Sequence, residues 1–117
     1  MKKDIILSIH PEWVEKIKSG EKTVELRKKL PENLGRIFVY ETKPTMQIVG
    51  ELYYTDILNQ DIYTLYDSTE GKTGVDIDRF LKYFDKKEKG YGIIIKKLEL
   101  FKIPLKLKNP PQNYKFV

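Results

Sequence analysis

Hydrophobic and polar residues alternate with a period of two over much of the chain, which is typical of β-strands with one face against a core. Strands are predicted where this pattern coincides with β-branched and aromatic residues, at 4–9, 22–28, 36–42, 47–55 and 93–101. Gly50 is expected to mark a bulge or a close approach of two backbones. Pro104 is expected to interrupt the last strand, because proline has no N–H group to donate.

Two segments follow the 3.6-residue period of a helix instead. The first begins at Pro11, with His10 as a cap-like residue, and ends at Gly20, a residue type that favours the left-handed conformation after a helix. Trp13 belongs to the apolar stripe of this helix and is expected to lie in the core. Asp76 is expected to cap the second helix, whose apolar face consists of Ile77, Phe80, Leu81 and Phe84.

These elements predict the architecture. A weaker helix is predicted over 59–65, and the polar run 67–74 is expected to be a loop. There is no internal repeat and no linker, so residues 1–117 are expected to form a single domain. About five to six strands with two or three short helices, broken by glycine and proline, indicate an α+β fold, a strongly bent sheet or barrel with helices packed around it.

Composition excludes several classes of protein and site. Hydrophobic residues make up 40% of the chain and charged residues 33%, as in a soluble globular protein. No apolar run approaches the roughly 20 residues of a membrane span, so a cytoplasmic location without membrane association is expected. With no cysteine and a single histidine, His10, the chain lacks a thiol nucleophile and the usual zinc ligands. No metal or other cofactor is expected.

The formal charge of +5 is unevenly distributed. Residues 82–108 carry nine lysines against three acidic residues, whereas residues 1–81 carry twelve basic and fourteen acidic residues. Such asymmetry is typical of a surface that faces phosphate groups. Lysines that only increase solubility would produce the same composition, so charge alone leaves both interpretations open.

Candidate chemistry is concentrated where the first helix ends and the next strand begins. On that strand, Val24 and Leu26 alternate with Glu25 and Arg27, so the charged pair faces away from the apolar pair. Lys22 and Arg27 suit a phosphate group, and Glu25 is able to accept a hydrogen bond from an exocyclic amine. The alternative is a surface ion-pair network that contributes only about 0–1 kcal/mol to stability.

The same residues carry a resemblance. The run from Gly20 to Arg27 resembles the Gly-x-Lys-x-x-Glu-x-Arg motif of the ASCH domain family, small prokaryotic proteins of the PUA-like β-barrel superfamily. The Ser8-Ile9-His10-Pro11 entry, the Val39-Tyr40 strand and the Gly90-Tyr91-Gly92 strand follow in the order that this family shows. The closing Pro110-Pro111-Gln112-Asn113-Tyr114 resembles the family's Pro-Pro-Gln-Ser-Phe-like terminal segment. The resemblance covers nearly the whole chain.

The resemblance implies that RNA or a modified nucleotide binds in a cleft lined by this motif and that this binding has a regulatory role. One bacterial branch of the family hydrolyses the acetyl amide of N4-acetylcytidine, with a threonine at the position of Glu25 and a lysine that matches Lys22. Since that threonine is absent, binding is favoured over catalysis. The alternative is a small amidohydrolase in which Lys22 polarises a carbonyl group and Glu25 activates water.

Further ligand contacts are predicted around the junction. Ser8 and His10 flank it, although His10 needs no ligand if it only precedes the helix. Tyr40, Thr42 and Tyr91 are candidates for stacking on a base or for contacting it, although aromatic residues on strands are commonly core residues. A protein-interaction domain that uses the basic segment is a third hypothesis.

Overall fold

The computed structural model describes residues 1–117 and contains six strands and three helices. The strands are β1 (Lys3–Ile9), β2 (Val24–Arg27), β3 (Leu34–Glu41), β4 (Gln47–Asp61), β5 (Lys89–Lys106) and β6 (Tyr114–Phe116). The helices are α1 (Pro11–Ser19), α2 (Ile62–Thr69) and α3 (Ile77–Phe84).

All six strands belong to one sheet, in the order β2-β5-β4-β3-β1-β6. The β1–β3 pair is parallel and every other pair is antiparallel, so the sheet is mixed. This arrangement confirms the predicted α+β class. The predicted barrel is too strong a description, because β2 and β6 remain separate edges and the sheet does not close.

Local signals position the two helices nearest the site. The helix α1 starts at Pro11, and Gly20 ends it with a φ of 86° while its N–H group donates to the Ile17 carbonyl oxygen at 3.2 Å. His10 precedes α1 but makes no capping hydrogen bond with its side chain. The Asp76 carboxylate accepts from the backbone N–H of Arg79 at 2.9 Å and so caps α3 as predicted.

The pair formed by β4 and β5 is longer than predicted and continues until Asp61 lies opposite Lys89. Residues 59–61 are therefore strand rather than helix, and α2 begins only at Ile62 and includes residues 67–69. None of the helices is long and apolar enough to cross a lipid bilayer.

The strand β5 continues through Pro104, contrary to the prediction, but its pairing with β4 is irregular there, because the register passes from Leu100 opposite Gly50 directly to Leu105 opposite Ile48. Because β2 pairs only with Tyr91–Ile94, the later part of β5 has β4 as its single neighbour, and an open strand edge tolerates proline. The prediction for Gly50 is confirmed. The β3–β4 and β4–β5 registers both shift beside it, and a Cβ atom there would overlap the Glu99 carbonyl oxygen.

Two apolar clusters fix the elements around the site. One of twelve buried residues includes Ile5, Val14 and Val39 and packs α1 onto the sheet. The other brings β2 together with α2 and α3 through Val24, Leu26, Ile62, Leu65, Phe80 and Phe84. As a result, one face of β2 turns Val24 and Leu26 toward this core, and the opposite face carries the charged residues Glu25 and Arg27.

Candidate functional site

A cavity of about 420 Å³ opens where β1, α1, β2 and α3 meet the segment that precedes β6. Five of the predicted site residues line it, namely Ser8, His10, Lys22, Glu25 and Arg27. They come together because β1 leads into α1 and the turn after α1 leads directly into β2.

Lys22 lies at the floor of the cavity and is only 4% exposed. Its Nζ atom donates to the Thr73 carbonyl oxygen at 2.7 Å, lies 3.4 Å from Oε1 of Glu25 and lies 5.0 Å from the centre of the Trp13 ring. Burial lowers the pKa of Lys22 from its ordinary value, and the Glu25 carboxylate offsets only part of that effect. Lys22 therefore releases its proton at a lower pH than an exposed lysine does.

Glu25 lies between two cations. Its Oε2 atom accepts from Nε and Nη2 of Arg27 at 2.9 and 2.7 Å, while Oε1 faces Lys22. Glu25 and Arg27 pair as the ion-pair alternative expected, but they are 5% and 8% exposed, so the network is buried and does not lie at the surface. Glu25 thus holds Arg27 through two hydrogen bonds and attracts Lys22 through a longer contact.

Arg27 connects three separate parts of the chain. Its Nη2 atom donates to the Ser8 carbonyl oxygen at 2.6 Å, and its Nη1 atom donates to Oδ1 of Asn113 at 2.8 Å. Ser8 fixes the same late segment, because its Oγ donates to the Pro111 carbonyl oxygen at 2.6 Å and its backbone N–H donates to the Asn113 carbonyl oxygen at 2.9 Å. Residues 111–113 thus form one wall of the cavity.

Three predicted ligand contacts lie elsewhere. Tyr40 is 3% exposed and packs with Ile6 and Ile48 in a separate apolar cluster, so its ring has no face open to the cavity. Thr42 reaches the site only through its hydroxyl group, which lies 3.0 Å from Nδ1 of His10. Tyr91 packs against the main core, opposite Arg27 in the β2–β5 ladder, and does not line the cavity.

The cavity also includes residues that the sequence analysis did not assign to a site. Trp13, expected in the core, is half-buried and lines the cavity, with the guanidinium carbon of Arg79 4.8 Å from its ring centre. Tyr83, one turn after Arg79 on α3, donates from its hydroxyl group to the Leu26 carbonyl oxygen at 3.3 Å. Lys28 lies over the Tyr83 ring at 5.0 Å.

The sequence contained a signal for Arg79 and Tyr83 as site residues, but that signal was ambiguous. Arg79 and Tyr83 are four residues apart and therefore share a helix face beside the buried face of Phe80 and Phe84. Burial raises the pKa of the Tyr83 hydroxyl group, so that group stays protonated near neutral pH. Only the packing of α3 against β2 shows that this polar face is turned toward a cavity.

Comparisons with known proteins give a matching family and a similar relative. A family model described as the ASCH domain matches residues 7–102. A protein of Zymomonas mobilis named ASCH domain-containing ribonuclease is 30% identical over 97 residues, which is 81% of this chain and 66% of that protein. The matched region thus spans slightly less than two thirds of the relative's length.

Solved structures agree in overall fold. The crystal structure of ASCH from Zymomonas mobilis superposes with a TM-score of 0.85 at 26% identity and covers 98% of this chain and 87% of that one. A serine-to-alanine variant from the same organism gives a TM-score of 0.86 at 25% identity, covering 99% of this chain and 89% of that one.

Proposed function

Because the chain belongs to the ASCH domain family, we propose that it binds single-stranded RNA at the cavity and cleaves the strand there, with Lys22 as the proton acceptor. A relative named as a ribonuclease supports an RNA-related function. The observation that carries the proposal is the buried Lys22 amine, with its lowered pKa, at the floor of an open cavity.

The dimensions and lining of the cavity suit one unpaired nucleotide. A volume of about 420 Å³ falls within the range of roughly 300–1,000 Å³ that small-molecule sites occupy. Trp13 and Tyr83 provide aromatic surface for a base, and Lys28 and Arg79 provide cations for phosphate groups at the rim. The excess of lysine in residues 82–108 adds long-range attraction for a polyanion.

The chemistry assigned to Lys22 balances without a further reactant except water. The uncharged amine takes the proton of a ribose 2′-hydroxyl group, and the resulting oxygen attacks the adjacent phosphorus atom. The bond from phosphorus to the 5′-oxygen breaks, that oxygen takes a proton from water, and the remaining hydroxide ion takes the proton that Lys22 holds. The products are a 2′,3′-cyclic phosphate and a strand with a 5′-hydroxyl group.

Glu25 has a supporting role in this proposal. Both of its oxygens are engaged by Lys22 and Arg27, so it holds the amine in position rather than accepting the proton itself. The same engagement counts against the alternative hydrolysis of N4-acetylcytidine, in which Glu25 would have to activate water.

Incubation with a labelled, unstructured RNA strand tests the proposal, and the deoxy strand of the same sequence serves as the substrate control. We expect cyclic-phosphate products from RNA alone, and a rate lower by about 100-fold or more in Lys22→Met. Methionine keeps the volume and apolar stem of lysine. Lys18→Met, which changes an exposed lysine outside the cavity, should cleave like the parent protein.

Each outcome decides one part of the proposal. Binding of RNA that weakens in Lys22→Met without any cleavage would retain the binding site and refute the catalytic step. Acetate release from N4-acetylcytidine that depends on Lys22 would favour the amidohydrolase. If folded protein bound no RNA, the whole proposal would be wrong.

A further inference from the structure

We propose that Asn113 reads one edge of the bound base and selects uracil and guanine, which present the carbonyl oxygens O4 and O6 there, over cytosine and adenine, which present the N4 and N6 amino groups. This inference rests on the proposed RNA site and names the class of base that the site accepts. It is carried by the contact between Arg27 and Asn113 and by the hydrogen-bond donors around them.

The orientation of the Asn113 amide is fixed by chemistry. The guanidinium group of Arg27 has only donors, so the amide atom 2.8 Å from Nη1 must be the oxygen. The Nδ2 group then points away from Arg27. This group makes no hydrogen bond within the protein. It is also not buried, so it is accessible. Since Asn113 lines the cavity, two N–H groups remain for a ligand.

The backbone of Asn113 is held as firmly as its amide. Its carbonyl oxygen accepts from the Ser8 N–H group, and the next three residues form β6, where Tyr114 lies opposite Leu7. The Ser8 hydroxyl group holds Pro111 two residues earlier. A donor fixed on both sides in this way is pre-organised, so binding does not have to order it.

Arg27, beside Asn113, is a donor as well and has no acceptor atom. The Oε2 atom of Glu25 accepts from Arg27 at 2.9 and 2.7 Å, and its Oε1 atom lies 3.4 Å from Nζ of Lys22. An exocyclic amine would therefore have to compete with these two side chains for Glu25, in contrast to the expected contact between Glu25 and cytosine. A carbonyl oxygen would find the Asn113 N–H groups.

Uracil and cytosine give the sharpest comparison, because they have nearly the same shape. They differ at one edge, where uracil has the acceptor O4 and cytosine has the N4 amino donor. If the N4 amino group of cytosine faces the N–H groups of Asn113, neither donor has an acceptor. The free-energy penalty for binding cytosine is therefore larger than the gain for binding uracil.

The experiment compares the affinities of short oligo-uridine and oligo-cytidine strands by fluorescence anisotropy. We expect the parent protein to prefer oligo-uridine about tenfold. Asn113→Asp keeps one oxygen on Arg27 and places an acceptor where the N–H groups were, so it should reverse the preference. Asn109→Asp makes the same charge change on an exposed residue outside the cavity and should leave the preference unchanged.

The outcomes separate this inference from the function on which it rests. Equal affinity for the two strands, with both weakened in Lys22→Met, would overturn the role of Asn113 and leave the RNA site in place. No binding of either strand to folded parent protein would overturn both. If Asn113→Asp fails to fold, Asn113→Ala removes the donors instead, and a preference for uridine that persists in it would refute the inference.

Discussion

Lys22 and Glu25 form an ion pair whose Nζ and Oε1 atoms are 3.4 Å apart, longer than a typical charge-assisted hydrogen bond, although both side chains are almost fully buried. The shorter contact of Lys22 is with the Thr73 carbonyl oxygen. The attraction of Glu25 therefore only partly compensates for the burial of the ammonium group, and the pKa of Lys22 is lowered as a result.

This lowered pKa predicts how stability depends on pH. In the unfolded chain Lys22 titrates near its ordinary pKa of 10.5, and in the folded protein it loses its proton at a lower pH. Between those two values the unfolded state binds more protons, so the free energy of unfolding rises with pH, by up to about 1.4 kcal/mol per pH unit. Below the folded pKa this contribution is absent.

Urea unfolding of the parent protein and Lys22→Met over this alkaline range measures the effect. All other titrating groups are common to both proteins, so their difference isolates Lys22. The parent protein should gain stability relative to the variant as pH rises. A difference that is constant or falls with pH would contradict the assignment.

Arg27 and Arg36 each bind a carboxylate, so substituting them compares the stability contributed by a buried arginine with that contributed by an exposed one. Arg27→Met removes the buried partner of Glu25 and frees Ser8 and Asn113, and it should lower the free energy of unfolding by about 3–5 kcal/mol. Arg36 also binds a carboxylate, that of Glu51 at 2.6 Å, but its own side chain is 60% exposed.

Arg36→Met should therefore cost less, about 1–3 kcal/mol, because Arg36 is exposed but its partner Glu51 is only 6% exposed. Chemical unfolding monitored by circular dichroism gives both values. Equal losses in the two variants would show that Arg27 is not the structural centre of the site.

Trp13 gives a direct signal of ligand binding, because it is the single tryptophan of the chain and lines the cavity. A base that stacks on its ring would displace Arg79 and change the polarity around the indole. Titration with uridine monophosphate should change the tryptophan emission saturably, and Lys22→Met should weaken the apparent affinity by about tenfold. Binding detected by calorimetry without any emission change would place the ligand outside this cavity.

The sequence was most informative where structure depends on neighbouring residues. Pro11, Gly20 and Asp76 mark helix ends through contacts within one turn, so α1 and α3 were predicted nearly to the residue. The alternation around Glu25 separated the charged face of β2 from its apolar face for the same reason. The burial of that charged face was not predictable, because it depends on α1, α3 and residues 111–113.

Long-range pairing accounts for the remaining differences. The extension of β4 to Asp61 depends on Lys89 lying opposite it, and that partner is 28 positions away in the chain. Tyr40 is enclosed by Ile6 and Ile48 from two other strands, so its strand pattern alone was ambiguous between core and ligand contact. The role of Asn113 becomes apparent only through its contact with Arg27.

The wall formed by residues 111–113 also determines when the site exists during protein synthesis. A chain still emerging from the ribosome has its Lys22, Glu25 and Arg27 long before Asn113 leaves the exit tunnel, and until then Ser8 and Arg27 lack their partners. The cavity is therefore completed only after residues 111–113 have been synthesised and have left the tunnel, so a nascent chain that stops before them has no finished site.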